Sequence, residues 1–342
     1  MILKRSSRGN RVAQLGLTLL VSVMAASGFS GDNHNLSALV SHPATDAYEG
    51  WRLGVQAYTF RKFTFFEAVD KAASLGLDWI EAYPGQRLSK DKPGVVFSHE
   101  MSAEQRKKVK AKLADAGVKL VNYGVVGLPN DEREARKVFD FAKDMGIETI
   151  VSEPRPEAFD LIEKLCEEYK INVALHNHPK PFSLYWNPDK VLEVCADRSK
   201  RIGACADTGH WLRSGIRPLD AIKKLQGRII SLHLKDLNEF GNGDAHDVVW
   251  GTGVADIEAI LTELDRQGFK GVFSIEYEYH WDNSVPEIRK CVGYFNKVAG
   301  ELKPGGWQDL LDEELSRWIY NPGSWVMKDG VLARKGGGYI WT

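Results

Sequence analysis

From position 51 onward, short runs of apolar and β-branched residues alternate with longer segments of helical period, and eight such pairs follow one another. The runs at 53–58, 79–82, 119–123, 149–152, 173–175, 202–206, 229–234 and 271–275 are almost continuously apolar. Strands buried on both faces read this way, as in a parallel sheet covered by helices. Between them, 67–75, 104–116, 132–145, 159–169, 256–267 and 287–298 carry apolar residues on one helical face, and Gly76, Gly117, Gly146 and Gly268 stand as helix stops. Repeated βα units either open into a doubly wound sheet or close into a barrel. Eight units over residues 51–303 predict the closed (β/α)8 TIM barrel, an α/β fold.

The pattern changes at both ends. From position 304 the repeat stops, and residues 307–342 contain Trp307, Trp318, Trp325 and Trp341, five glycines and short alternating segments, with Asp329-Gly330 as a hairpin signal. So short a segment cannot bury enough surface to fold alone. It reads as the start of an all-β sandwich domain that the chain truncates. At the other end, Lys4, Arg5, Arg8 and Arg11 precede an apolar run at 15–26 and the small residues Ala25-Ala26-Ser27. This is the layout of an export signal over 1–31, followed by a polar linker over 32–50, and it predicts a periplasmic or secreted protein. The apolar run is shorter than the ~20 residues a membrane span needs.

Charge narrows the partners. Forty-five Lys and Arg balance 46 Asp and Glu, a net charge of −1, and no run of five like charges occurs. The basic footprint of a nucleic-acid binder is therefore missing. A small molecule is the expected partner, with a homo-oligomer left open. Cys166, Cys195, Cys205 and Cys291 show no CxxC spacing and are expected to be buried free thiols.

In a barrel of this kind, chemistry sits where the strands end. Glu153 follows the fourth strand, Asp207 the sixth and Glu276 the eighth, while His233 lies near the end of the seventh. Their spacing brings all four to one side of the barrel mouth. Three carboxylates and one imidazole suit one divalent cation, Mn²⁺ first and Mg²⁺, Co²⁺ or Zn²⁺ as alternatives, with two positions left for a chelating substrate.

The segments Gly54-Val55-Gln56-Ala57-Tyr58-Thr59-Phe60, Asp207-Thr208-Gly209-His210-Trp211, His233-Leu234-Lys235-Asp236 and Gly251-Thr252-Gly253 resemble the xylose isomerase-like TIM-barrel superfamily of sugar isomerases and epimerases. Inosose dehydratases belong to that group. The resemblance implies that Glu153, Asp207, His233 and Glu276 hold the metal, that Glu153 and Glu276 act as acid and base on opposite faces of the substrate, and that His210 meets a substrate oxygen or orients the metal shell.

A divalent cation chelated by a carbonyl and an adjacent hydroxyl stabilises the enediolate formed when a neighbouring C–H is deprotonated. Reprotonation then gives an epimer or an isomer, and loss of a β-oxygen gives elimination. An exported enzyme meets few sugar phosphates, and no glycine-rich phosphate loop is present, so a neutral sugar is expected. Leu175-His176-Asn177-His178-Pro179 is similar to the His-rich fifth-strand end of inosose dehydratases, and spare imidazoles suit proton delivery to a leaving oxygen. The stretch from Trp325 to Leu332 and the closing Gly336-Gly337-Gly338 resemble the opening of a 3-keto-disaccharide hydrolase-type domain, which implies a 3-keto-glycoside substrate and a lyase. A sugar isomerase or ketose 3-epimerase is the alternative, and a non-catalytic carbohydrate-binding protein the next.

Further substrate contacts are expected at Lys235, His246 and Trp186, with Trp211, Trp250, Trp281, His280, Glu81 and His99 as weaker candidates. A DNA-repair endonuclease on the same barrel would need more histidines for its metals and a basic groove.

Overall fold

The computed structural model describes residues 50–302 and the backbones of four short strands between 319 and 341. Residues 1–49 lie outside the described residues. The expected export signal and linker fall there.

The eight barrel strands are β1 (Trp51–Gln56), β2 (Trp79–Ala82), β3 (Lys119–Tyr123), β4 (Thr149–Ser152), β5 (Asn172–His176), β6 (Ile202–Asp207), β7 (Ile229–Leu234) and β8 (Gly271–Ile275). All pair in parallel in the cyclic order β1-β8-β7-β6-β5-β4-β3-β2, which closes the sheet. This is the (β/α)8 barrel that the alternation predicts. β1 stops at Gln56, two residues before its predicted end, because the Gln56 side chain accepts from the Tyr58 backbone N–H and turns the chain into a short 3₁₀ segment.

The helices are α1 (Phe65–Ser74), α2 (Ala103–Ala116), α3 (Glu132–Met145), α4 (Phe159–Tyr169), α5 (Pro188–Cys195), α6 (Thr208–Arg213), α7 (Pro218–Lys224), α8 (Ile257–Arg266) and α9 (Val285–Leu302). α1 opens with a capping box between Thr64 and Glu67 and buries Phe65, Ala68, Val69 and Ala72, a stripe at helical spacing. α3 buries Ala135, Val138, Phe139, Ala142 and Met145 and stops at Gly146, whose φ of 72° is the left-handed value glycine adopts without strain. Burial of one such Phe or Val contributes about 1.5–3 kcal/mol. One antiparallel pair, Arg87–Ser89 with Lys92–Val96, interrupts the βα alternation between β2 and α2.

The four cysteines are buried free thiols. Beyond the barrel, Trp325–Lys328 pairs antiparallel with Val331–Arg334, with Lys328 opposite Val331 on either side of Asp329-Gly330. Ile319–Tyr320 pairs with Ile340–Trp341.

Candidate active site

Hydrogen bonds from side chains continue the sheet where its backbone ladder ends. Asn177, one residue past β5, donates Nδ2 to Asp207 O and accepts from Asp207 N, at 2.9 and 2.8 Å. Thr208 Oγ1 donates to Lys235 O and accepts from Lys235 N in the same way, at 2.7 and 2.8 Å. β5, β6 and β7 are thereby locked in register at the mouth. Asp207 divides its carboxylate: Oδ1 caps α6 by accepting from His210 N at 2.7 Å, and Oδ2 faces the barrel axis. Gly209 is required next to it, because a Cβ there would stand 2.7 Å from Lys235 Cδ.

Ligand atoms of His176, Asp207, His233 and Glu276 lie within 4.8 Å of one another, and all four residues are buried. Two of these residues have a buried ring nitrogen with no hydrogen-bond partner, His176 Nε2 and His233 Nδ1, and Asp207 Oδ2 stands beside them with the Lys235 ammonium 3.1 Å away as its ion-pair partner. They face one another and their neighbours across gaps of 3.5 Å (His176 Nε2 to Asp207 Oδ2), 3.9 Å (His233 Nδ1 to Asp207 Oδ2) and 3.1 Å (His233 Nδ1 to Glu276 Oε2). Each imidazole is held from behind by a carboxylate. His176 Nδ1 lies 3.0 Å from Glu153 Oε1, and His233 Nε2 lies 2.8 Å from Glu81 Oε1. With those nitrogens donating outward, the inward nitrogens of the neutral rings present lone pairs to carboxylate oxygens, a contact that either a proton or a bound cation between them relieves. Carboxylate-backed imidazoles are the usual outer shell of a metal centre. The donor set fits one divalent cation.

Glu153, expected as a ligand, does not join this group. It lies one residue beyond β4, and its Oε1 is shared by His176 Nδ1, His178 Nδ1 (2.5 Å) and His178 N (3.2 Å). It forms a second potential ligand group with those two histidines. The inward end of β5 is His176, which occupies the place expected of Glu153. Glu81 sits at the barrel centre and accepts from Gln56, Asn122, Ser274 and His233, with partners from β1, β3, β8 and β7.

Lys235 alternates with His233 along the chain and is fully buried, its ammonium 3.1 Å from Asp207 Oδ2, 2.8 Å from Glu276 Oε2 and 3.0 Å from Glu278 Oε2. Burial alone would lower its pKa, but these carboxylates raise it well above the ordinary lysine value. Asp236 points away: its carboxylate accepts from the backbone N–H groups of Gly251, Gly253 and Ala255, each at 2.9 Å, and pins that loop. Burial pushes Asp207 and Glu276 up, yet both are held below the usual carboxylate range, Asp207 chiefly by His210 and Lys235 and Glu276 chiefly by Lys235 and His233. Burial likewise raises Glu153, and the hydrogen bonds from His176 and His178 more than reverse it. His176 and His233 are raised despite burial, His176 by Asp207 and Glu153, His233 by Cys205, Glu81 and Glu276. Burial holds His210 well below the ordinary value. Asp247 is pushed up to about 8, mainly by burial.

A cavity of about 360 Å³ opens over this group, lined by Gln56, Tyr58, Tyr83, Pro84, Gly124, Val125, His176, His178, His210, Glu276 and Glu278. Of the expected contacts, His176, His178 and His210 reach it. Lys235 lies beneath it, bonded to two lining residues, Glu276 and Glu278. Trp186 instead packs under Lys180, and His246 stacks on Tyr279 with ring centroids 4.3 Å apart. Trp211 and Trp250 are buried packing residues, and His99 pairs with the Tyr123 hydroxyl. Trp281 sits edge-on to Tyr58, with the Arg61 guanidinium 3.9 Å over its ring, and His280 pairs with Glu287.

Sequence reasoning missed Asn177, Arg213, Tyr83, Asp247 and Glu278. Glu278 was open to the period-two rule, since it alternates with Glu276 as Lys235 does with His233. Arg213 is the last residue of α6, within 3.2 Å of His210 Nδ1, 3.3 Å of Glu278 Oε2 and 3.5 Å of Asp247 Oδ2.

Residues 69–298 match the profile of the family described as xylose isomerase-like TIM barrel. The crystal structure of an uncharacterized protein from Parabacteroides distasonis is similar at 34% identity with a TM-score of 0.60, over 72% of this chain and 99% of that one. The structure of the IolI protein with a bound zinc atom shares the fold at 17% identity and a TM-score of 0.59, over 74% of this chain and 99% of that one. The rhizopine catabolism protein MocC of Rhizobium meliloti is 25% identical over 174 residues, 47% of this chain and 52% of that protein, so the chain spans about half the length of this curated relative. The chain belongs to the xylose isomerase-like TIM-barrel family, whose members are sugar isomerases, epimerases and dehydratases.

Proposed function

We propose that this chain is a divalent-metal-dependent enzyme that removes the proton beside the carbonyl of a non-phosphorylated keto-sugar and eliminates a β-oxygen, with a 3-keto-glycoside as the substrate class. His176, Asp207, His233 and Glu276 would hold the cation, and two imidazoles among four ligands favour Mn²⁺, Co²⁺ or Zn²⁺ over Mg²⁺. When bound, the cation supplies Lewis-acid stabilisation of charge developing on the carbonyl and hydroxyl oxygens.

The observation that carries the reading is the His178–Glu153 pair beside this group. His178 Nδ1 is tied to Glu153 Oε1 at 2.5 Å, and its ring lines the cavity. With Nδ1 donating outward, Nε2 is left as the acceptor, the arrangement of a general base oriented by a carboxylate. The proton at C2 passes to His178, its electron pair forms the C1–C2 double bond, and the C1–O bond to the aglycone breaks. The aglycone leaves with a proton and an unsaturated keto-sugar remains. Glu153 then works through His178, while Glu276 borders the cavity directly. Tyr58 and Tyr83, with ring centroids 5.1 Å apart, offer the aromatic wall on which a pyranose packs.

Two-face epimerisation with Glu153 and Glu276 as acid and base fits this placement less well, because Glu153 Oε1 is already engaged by two imidazoles. The presence of both Glu276 and Glu278 on the cavity keeps a sugar isomerase or ketose 3-epimerase as the second reading. The sequence resemblance of the stretch from Trp325 to Gly338 to the opening of a 3-keto-disaccharide hydrolase-type domain supports a 3-keto-glycoside, and the expected export-signal pattern over 1–31 supports an exported enzyme. No helix among the described residues is long and apolar enough to cross a membrane.

Proton NMR of the metal-loaded protein with a 3-keto-glucoside in D₂O, beside a chelator-treated control, tests the reading. Metal-dependent release of aglycone with an unsaturated keto-sugar or its hydrate is the expected result. Deuterium entry next to the carbonyl without release would establish an epimerase or isomerase instead. Silence in the presence of binding would leave a carbohydrate-binding protein.

A further inference from the structure

Two imidazoles, His178 and His210, line the same cavity with ring centroids 5.2 Å apart, and their outward partners have opposite character. His178 Nδ1 meets a carboxylate, Glu153. His210 Nδ1 meets a guanidinium, with Arg213 Nη1 at 3.2 Å. A guanidinium has five N–H donors, no acceptor, and does not lose its proton in a protein. His210 Nδ1 must therefore accept, and the ring proton of the neutral imidazole resides on Nε2. Arg213 is itself held in place: Nε donates to Ala245 O at 3.1 Å, Nη1 also donates to Glu278 Oε2 at 3.3 Å, and Nη2 donates to Asp247 Oδ2 at 3.5 Å.

We propose that Arg213 is a positioning residue that locks His210 in the Nε2–H tautomer, making it a hydrogen-bond donor to a substrate oxygen and barring it from both the metal shell and the role of base. His210 Nε2 lies 3.7 Å from Asp207 Oδ2, close enough to the ligand group that a bare Nε2 would be a natural additional ligand. The proton excludes it. The pair then divides the work of deprotonation beside a carbonyl: His178 presents a lone pair, and His210 presents an N–H to the oxygen on which negative charge gathers. No proton need leave His210. The identity of that oxygen rests on the proposed function; the tautomer does not.

The test is long-range ¹H–¹⁵N NMR of the full chain, labelled at histidine and loaded with Zn²⁺, with the His210 signals assigned by their loss in His210→Gln. The expected wild-type spectrum shows His210 protonated on Nε2 and bare on Nδ1, with and without Zn²⁺. Arg213→Met should lose that preference and lower kcat by about tenfold to a hundredfold, the usual cost of removing an orienting partner. Arg213→Lys, which still donates to Nδ1, should restore the tautomer and part of the rate. A wild-type His210 protonated on Nδ1, or bound to Zn²⁺ through Nε2, would overturn the proposal. So would an Arg213→Met protein that loses turnover while keeping the Nε2–H tautomer, since Arg213 would then be structural only. If Arg213→Met does not fold, the wild-type and Arg213→Lys spectra decide. Should no keto-sugar turn over in the elimination assay, the tautomer result still stands or falls by itself.

Discussion

The two halves of the barrel mouth differ in kind. The ends of β1 to β3 contribute Gln56, Tyr58, Tyr83, Pro84, Gly124 and Val125 to the cavity, a wall largely aromatic and apolar, and β4 adds no residue to it. The ends of β5 to β8 contribute His176, His178, His210, Glu276 and Glu278, with Asp207, His233 and Lys235 directly beneath. The acidic residues of the first half, Glu81 and Glu153, hold imidazoles of the second half rather than border the cavity. One wall is thus suited to hold a ring and the other to move its protons. A substrate must match both at once, with an apolar face on one side and chelating oxygens on the other, and a pyranose does.

Breaking the reactive wall should have the largest effect. Asp207→Asn keeps the cap of α6, since asparagine caps as well as aspartate, but removes the charge at the centre of the ligand group. It should cost more than the ~10–100-fold loss of metal affinity typical of outer partners, and isothermal titration with Mn²⁺ measures it directly. For the wild type, affinity should fall as the pH is lowered, because His176 and His233 have raised pKa values and their protons compete with the cation. Saturation at about 100 times the dissociation constant should stabilise the fold by about 2.7 kcal/mol, seen as a rise in Tm that chelator reverses.

Glu153→Gln tests how the two halves are joined. As an orienting residue it should lose about tenfold to a hundredfold in kcat while retaining metal. A loss of metal as complete as that of Asp207→Asn would instead make Glu153 a direct ligand.

The aromatic wall should yield a smaller and different change. Tyr83→Ala should raise KM with kcat nearly kept, by a factor equivalent to about 0.5–1.5 kcal/mol, because ring packing is uniform between ground and transition states. A fall in kcat alone would place Tyr83 among the reacting groups.

The smallest effect lies far from the mouth, at the cap of α1. Burial raises the Glu67 carboxyl, but hydrogen bonds from Lys90 and Thr64 outweigh this and bring its pKa from 4.5 down to about 2. A lowered folded value means stability that is present above about 4.5 and lost as the pH falls through about 2. Thermal melts between pH 6 and 3 should show Glu67→Gln flatter than wild type. Thr64→Ala should cost about 1 kcal/mol at neutral pH.

The same contrast explains what could be read in the sequence. β2, β3, β4, β7, β8, α3 and α4 keep their predicted bounds because long apolar runs and glycine stops specify them locally. Short α6 and α7 escape periodicity, since six or seven residues give less than two turns, and Arg213 was hidden with them. Asp207, His233 and Glu276 could be placed because each stands at a strand end facing inward. Glu153 follows β4 too, yet the loop that Pro154 begins turns its carboxylate toward the fifth strand, and the inward position falls to His176, the last residue of β5. Loop direction after a strand depends on tertiary packing, which spacing along the chain does not encode. Nor does spacing reveal which nitrogen of a histidine carries its proton; that required the outward partners, Glu153, Glu81 and Arg213.

The most direct test of the central claim is anomalous diffraction at the manganese edge from crystals grown with saturating Mn²⁺. The account predicts one ion bonded to His176 Nε2, Asp207, His233 Nδ1 and Glu276, with Glu153 behind His176 and outside bonding distance. An ion bonded to Glu153, or no ion at saturating manganese, would contradict it.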